Sequence, residues 1–193
     1  MGVLKRAGDL VYTFRFLKLL VTSFENTEAY KLGLIDDKGK RLRRPETSDE
    51  KSAYTPFHKL VFNIKKLIAK APGGSTKIAS YAAALYLLKE KFSISDKQLK
   101  EAIEYAGLDP LDFLAENTQW FVLEDKRLSP GSYKVLNDKV INSTLEEMVY
   151  KRDKITVGEE CYPVGDVFGL DIYEVTHSRS KQPIYISIGE LSR

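Results

Sequence analysis

The sequence predicts an α+β protein: an N-terminal helical bundle followed by a small antiparallel SH3-like β-barrel. Two patterns predict it. Through the first 118 positions apolar residues recur at three- and four-residue steps, whereas from Leu128 onward they fall in short alternating runs rich in Val, Ile and Tyr. Charge divides earlier, with the positive excess confined to the first two-fifths of the chain. Residues 1–77 carry 16 Lys and Arg against 8 Asp and Glu, residues 78–118 carry 4 against 7, and residues 119–193 carry 10 against 12. With 193 residues, 43% of them hydrophobic, the chain has enough apolar surface for one large domain or a medium one with a small companion. The expected division is a helical domain over 1–118, a connecting segment over 119–127 and a barrel over 128–193.

From Leu4 to Phe24 the residues Leu4, Leu10, Val11, Phe14, Leu17, Leu20, Val21 and Phe24 keep a helical repeat, with Lys5, Arg6, Asp9, Arg15 and Lys18 mostly between them. This predicts an amphipathic helix of about five turns. Thr27 to Leu34 predicts a short second helix, and Asp36-Asp37-Lys38-Gly39-Lys40 a turn in which Gly39 supplies a positive φ. Thr47-Ser48-Asp49-Glu50 reads as a capped helix start with acidic residues at the positive helix end. That helix is expected to run to about Lys70 with Tyr54, Phe57, Val61, Ile64 and Ile68 on one face, and Pro56 bends or restarts it.

Residues 70–77, KAPGGSTK, raise the question of a phosphate loop. A P-loop needs GxxxxGK[ST] between a strand and a helix, so that backbone N–H groups wrap the phosphates. Here the stretch follows a helix, Lys77 comes after Ser-Thr, and no upstream Gly closes the loop. The simpler account is that Pro72-Gly73-Gly74 ends one helix and Ser75 or Thr76 caps the next. The helix that follows, Lys77 to Phe92, carries Ala79, Ser80, Ala82, Ala83 and Ala84, small residues that place it at the centre of the bundle. Ser95 opens another helix, stopped by Gly107, and Asp109-Pro110 starts a short one. Trp120-Phe121-Val122-Leu123 marks the seam.

Beyond it, Tyr133–Leu136, Met148–Tyr150, Ile155–Val157, Val167-Phe168, Ile172–Thr176 and Ile184–Ile188 read as short strands separated by turn clusters. The spacing leaves no room for crossover helices, so the sheet is antiparallel, and its length matches an SH3-like barrel.

Little in the chain reads as catalytic. A lone cysteine, Cys161, forms no internal disulfide and is expected to be a packed small residue. The adjacent carboxylates Asp36-Asp37, Asp49-Glu50, Glu146-Glu147 and Glu159-Glu160 sit in turns or at helix ends and read as solvated. His58 is expected exposed on a helix and His177 in a hairpin turn, neither with a nucleophile at a recognisable spacing. No ligand spacing suggests a metal, no cofactor is implied, and no enzyme is expected. Apolar runs fall short of the roughly 20 residues of a membrane span, and the start MGVLKRAGD carries no leader pattern. The stronger feature is basic: Lys38, Lys40, Arg41, Arg43 and Arg44, with Lys65, Lys66, Lys70 and Lys77 on later helices, form a candidate contact surface for phosphates or an acidic protein. The same residues, interleaved with Asp36, Asp37, Glu46 and Glu50, equally fit an ordinary solvated face.

The run from Leu4 to Leu67 resembles small helical capsid-assembly proteins, of prohead core or prohead-protease-inhibitor type, from T-even-like tailed bacteriophages. The segment VGDVFGLDIYEVTHSRSKQPIYIS is similar to small barrel modules appended to such proteins. The resemblance covers about two-thirds of the chain and carries no catalytic motif. It implies a non-enzymatic virion-assembly or structural protein, present in the host cytoplasm during assembly or in the virion, with other phage structural or scaffold proteins as partners. The alternative is a nucleic-acid-binding accessory protein that uses the same basic residues without sequence specificity.

Overall fold

In the computed structural model, which describes residues 2–70, 81–107 and 122–193 with side chains from residue 11, six α-helices precede antiparallel β-structure. The α+β class holds. The proposed helix punctuation at residues 72–76, the short helix at 109–114 and the Trp120 seam lie outside the described residues.

Helix α1 spans Gly2–Val21. It stops short of Phe24 because the Thr22 hydroxyl turns back on the Lys18 carbonyl at 2.6 Å and the Lys65 ammonium takes the Thr22 carbonyl. Phe24 instead opens a 3-10 turn and packs edge-on against Phe62, with ring centroids 5.7 Å apart. The buried face of α1 also differs from the expected stripe. Phe16 is buried, while Val11, Phe14 and Val21 are exposed. Phe14, Phe16, Leu17, Leu19, Leu20 and Val21 put apolar side chains all round the helix, so periodicity alone could not choose the inward face.

Helix α2 (Glu28–Lys31) is capped by Thr27, whose hydroxyl accepts the Tyr30 N–H. A tight hairpin follows, bridged between Ile35 and Arg41. The Asp36 carboxylate accepts the N–H groups of Lys38 and Lys40 at 2.9 and 2.8 Å, and Gly39 takes φ +75° as its place in the turn predicts. A Cβ at Gly39 would stand 2.5 Å from the Phe24 ring, so Gly is required here for space as well as for backbone angle.

The single helix expected from Ser48 to Lys70 is two helices. Helix α3 (Ser48–Ala53) begins with a reciprocal Thr47–Glu50 capping box and ends at Tyr54. Helix α4 (Pro56–Lys70) restarts with Pro56 at its first position, where no N–H is needed. Helix α5 (Ala82–Phe92) and helix α6 (Asp96–Tyr105) follow, the latter opened by a Ser95–Gln98 capping box.

The strands are β1 (Gly131–Val135), β2 (Lys139–Val140), β3 (Met148–Val149), β4 (Lys154–Val157), β5 (Pro163–Val167), β6 (Leu170–His177), β7 (Pro183–Ser187) and β8 (Leu191–Ser192). Six of them form an antiparallel sheet in the order β5-β6-β4-β1-β8, with β7 on the other edge of β6; β2 and β3 form a separate ribbon bridged to it at Ile141–Ile184. The expected closed barrel does not form among the described residues. A physical reason is visible in the packing. Helix α5, expected at the centre of a bundle, lies between α4 and the sheet, against β5, β6 and β7. One core cluster joins Phe57, Leu60 and Ile64 of α4, Leu85 and Leu88 of α5, and Val167, Ile172 and Tyr185 of the strands. The helices cover one face of β5 to β7, so this part of the sheet is held against α5 instead of curling on to close. The opposite side of the sheet builds a second cluster around Tyr133, Ile155, Tyr173 and Ile186.

Candidate functional site: a basic cleft between hairpin and sheet

An open cleft of about 960 Å³ runs between the helical half and the strand half. On one wall the hairpin and the segment after it present Lys40, Arg41 and Arg44, and α4 presents Lys59 and Lys66, seven residues apart and so on one helix face. The other wall is the β2–β3 connection with Thr144, Glu146 and Glu147, together with His177, Arg179 and Ser180 at the β6–β7 turn. Six cationic side chains and two carboxylates line it.

Glu146 is the hinge pin of this arrangement. Leu145 adopts φ +57°, and the buried Asn63 amide of α4 donates to the carbonyls of Leu145 and Glu146 at 3.0 and 3.3 Å, which fixes the loop against the helix. The Glu146 carboxylate then accepts Arg41 at 2.9 Å, Lys59 at 3.3 Å and the Tyr54 hydroxyl at 3.1 Å. Burial first, and this carboxylate second, push the Tyr54 phenol well above its usual range. Lys40, Arg44 and Lys66 have no anionic partner within bonding distance among the described residues. Half-burial, with Lys70 nearby, lowers the Lys66 ammonium from its ordinary value. Arg179 shares the Asp153 carboxylate, at 3.3 Å, with the buried His177, whose Nε2 is 3.4 Å from it. The other ring nitrogen of His177 meets the Ser180 hydroxyl at 2.7 Å and the Ser180 N–H at 3.4 Å, bonds that lock the turn.

The nine basic residues expected to share a surface divide. Lys40, Arg41, Arg44 and Lys66 meet in the cleft. Lys38 is exposed at the hairpin tip. Arg43 turns away to the Glu50 carboxylate at 2.6 Å and the Leu32 carbonyl at 2.8 Å. Lys65 lies over the Phe24 ring at 4.2 Å, and burial pushes its ammonium down to about 8. Lys70 pairs with Asp138 at 2.9 Å, and Lys77 lies outside the described residues. Lys59 and Arg179 were missed. The helical repeat from Lys66 back to Lys59 was a usable signal, whereas nothing local marks Arg179.

The expectation of solvated carboxylates fails at Glu50 and Glu146, both engaged by cations. His58 is half-buried rather than exposed; its Nδ1 lies 2.7 Å from the Thr55 hydroxyl, and burial, then Arg15, lowers its pKa. His177 ends β6 and is buried. Cys161 is buried as expected, and burial raises its thiol pKa, which disfavours the reactive thiolate. Among the described residues no group of three or more His, Cys, Asp or Glu is placed to hold a metal ion, and no helix is long and apolar enough to cross a membrane. What the cleft can do chemically is attract and orient an anion.

The chain matches no protein-family model, and no curated protein and no solved structure is significantly similar to it.

Proposed function

We propose that this protein is a non-enzymatic bacteriophage virion-assembly or structural protein of prohead core or scaffold type, acting by protein–protein contacts with other phage structural or scaffold proteins. The observation that carries the contact role is the cleft, where Lys40, Arg44 and Lys66 stand beside Arg41, Lys59 and Arg179 with too few carboxylates to neutralise them. Cations gathered without counter-charge cost stability, and such arrangements are retained where an outside partner supplies the charge. The phage context is supported by the resemblance of residues 4–67 and of the segment from Val164 to Ser187. We read the sheet as an opened SH3-like module, because the 3-10 turn at Ile188–Glu190 returns β8 onto β1. Mass spectrometry of proheads and mature virions of the phage that encodes the chain tests the role: the chain is expected in proheads, and its absence from both particles refutes it.

A second reading, a nucleic-acid-binding accessory protein, is favoured by the count of cations in the cleft alone. Against it, Arg43, Lys65 and Lys70 are held by internal partners, which interrupts the continuous positive track that a phosphate backbone follows. DNA binding that falls about a thousandfold between about 50 and 200 mM salt would reverse this preference.

A further inference from the structure

We infer that the cleft is the docking site for an acidic peptide segment of a partner protein, with Glu146 as a resident carboxylate that partly occupies the same cations. This deepens the contact-protein reading and rests on it. The Glu146 carboxylate is itself the evidence that the wall of the cleft recognises carboxylates: Arg41, Lys59 and the Tyr54 hydroxyl converge on it within 3.3 Å. It leaves Lys40, Arg44 and Lys66 unmatched along the same wall, and these offer the charge complement for further carboxylates. The rest of the lining suits a polypeptide. Tyr150 is 57% exposed at the rim, and the partly exposed Met148 and Pro45 supply apolar contact between the charges. Glu147, on the sheet side of the cleft, repels a uniformly charged phosphate chain but is tolerated by a peptide whose acidic residues are spaced.

Glu146 gives the inference a sign that a purely structural role lacks. Replacing it with Gln keeps one acceptor oxygen, for Arg41 and the Tyr54 hydroxyl, gives up the oxygen that faces Lys59, and removes the charge that competes with a ligand. Stability then falls while affinity for an acidic peptide rises.

The test is fluorescence anisotropy on the full chain with a labelled decapeptide of alternating Glu and Gly, and in parallel a labelled oligothymidylate of matched length. The peptide is expected to bind the wild-type chain, more weakly as salt is added. Lys40→Glu with Arg44→Glu should weaken it about tenfold or more, and Arg44→Ala, a milder change at an exposed and unpaired side chain, by about threefold. Glu146→Gln should bind about threefold tighter, and Lys97→Glu on α6 should match wild type. No peptide binding, indifference to charge reversal in the cleft, or no gain in Glu146→Gln overturns the inference; tighter binding of the oligothymidylate than of the peptide overturns it in favour of nucleic acid. A chain found in proheads that fails to bind the peptide leaves the contact-protein reading intact and removes this docking site. A chain that binds the peptide through the cleft but is missing from both particles keeps the docking site and removes the assembly role.

Discussion

Glu146→Gln is the most informative single substitution because one carboxylate holds the hairpin, α4 and the β2–β3 connection together. Its side chain is 19% exposed and Arg41 is 38% exposed, so the pairs are neither fully screened nor dry. An exposed pair contributes about 0.2–1 kcal/mol, and the two cations here sit at the upper end of that range. The Tyr54 hydroxyl bonds to the carboxylate from a buried ring, and a bond to a charged group contributes about 1.5–3 kcal/mol, of which a neutral Gln acceptor keeps about half. The expected loss is therefore about 2 kcal/mol. For a chain of this size that lowers the melting temperature by about 4–8 °C. Differential scanning calorimetry measures it directly, with Asp37→Asn in the adjacent turn as the exposed reference. Because most of the loss is Coulombic, it should shrink in 1 M salt, where the screening length is about 3 Å. A melting temperature within about 1 °C of wild type, or a deficit that salt leaves unchanged, would refute the reasoning.

Three further outcomes follow from the packing. Lys139 and Glu190 face each other at 2% and 0% side-chain exposure, and Glu190 also accepts the Ser187 N–H at 2.7 Å. Lys139→Met strands a buried carboxylate and should cost about 3–5 kcal/mol by urea denaturation, whereas adding Glu190→Gln should recover at least half; equal losses would count against a buried ion pair. Glu50 is held at about 2 instead of the ordinary 4.5, first by its bond from Arg43 and then by the N–H groups of Glu46 and Thr47. Its folded-state value is depressed, so its stabilisation is complete above about pH 4.5 and lost as pH falls towards 2. Glu50→Gln should flatten that part of the stability–pH curve, and an unchanged acid limb would contradict the assignment. Gly39→Ala forces a side chain into a φ of +75° and a Cβ against the Phe24 ring. A loss of about 1–3 kcal/mol is expected by chemical denaturation, with weaker peptide binding as Lys40 and Arg41 shift; a neutral result would mean that the hairpin relaxes freely.

Features governed by near neighbours were legible beforehand. The capped start at Thr47–Glu50, the helix start at Ser95, the positive φ of Gly39 and the run Ile155, Thr156 and Val157 each depend on residues a few positions apart. The break at Tyr54 was half-legible, since Pro56 announced a restart without saying that Tyr54 would leave the helix to meet Glu146. Which side of α1 faces inward was not legible, because apolar residues surround that helix. Nor was the open sheet, which depends on α5 covering β5 to β7.

The basic residues show the same division. Their number and clustering in the first two-fifths of the chain are properties of the sequence, and they made an anionic partner a candidate on equal terms with an ordinary solvated face. Arg43 and Arg44 are neighbours, yet one is spent on Glu50 and the other faces the cleft. Lys65 and Lys66 are neighbours on one helix, but roughly 100° of rotation per residue sends the first to the Thr22 carbonyl and the second to the cleft. Sequence determined how much positive charge there is and which local turns carry it. Only the tertiary structure decided which cations are already neutralised, because that depends on carboxylates and carbonyls brought from distant positions, Glu146 above all.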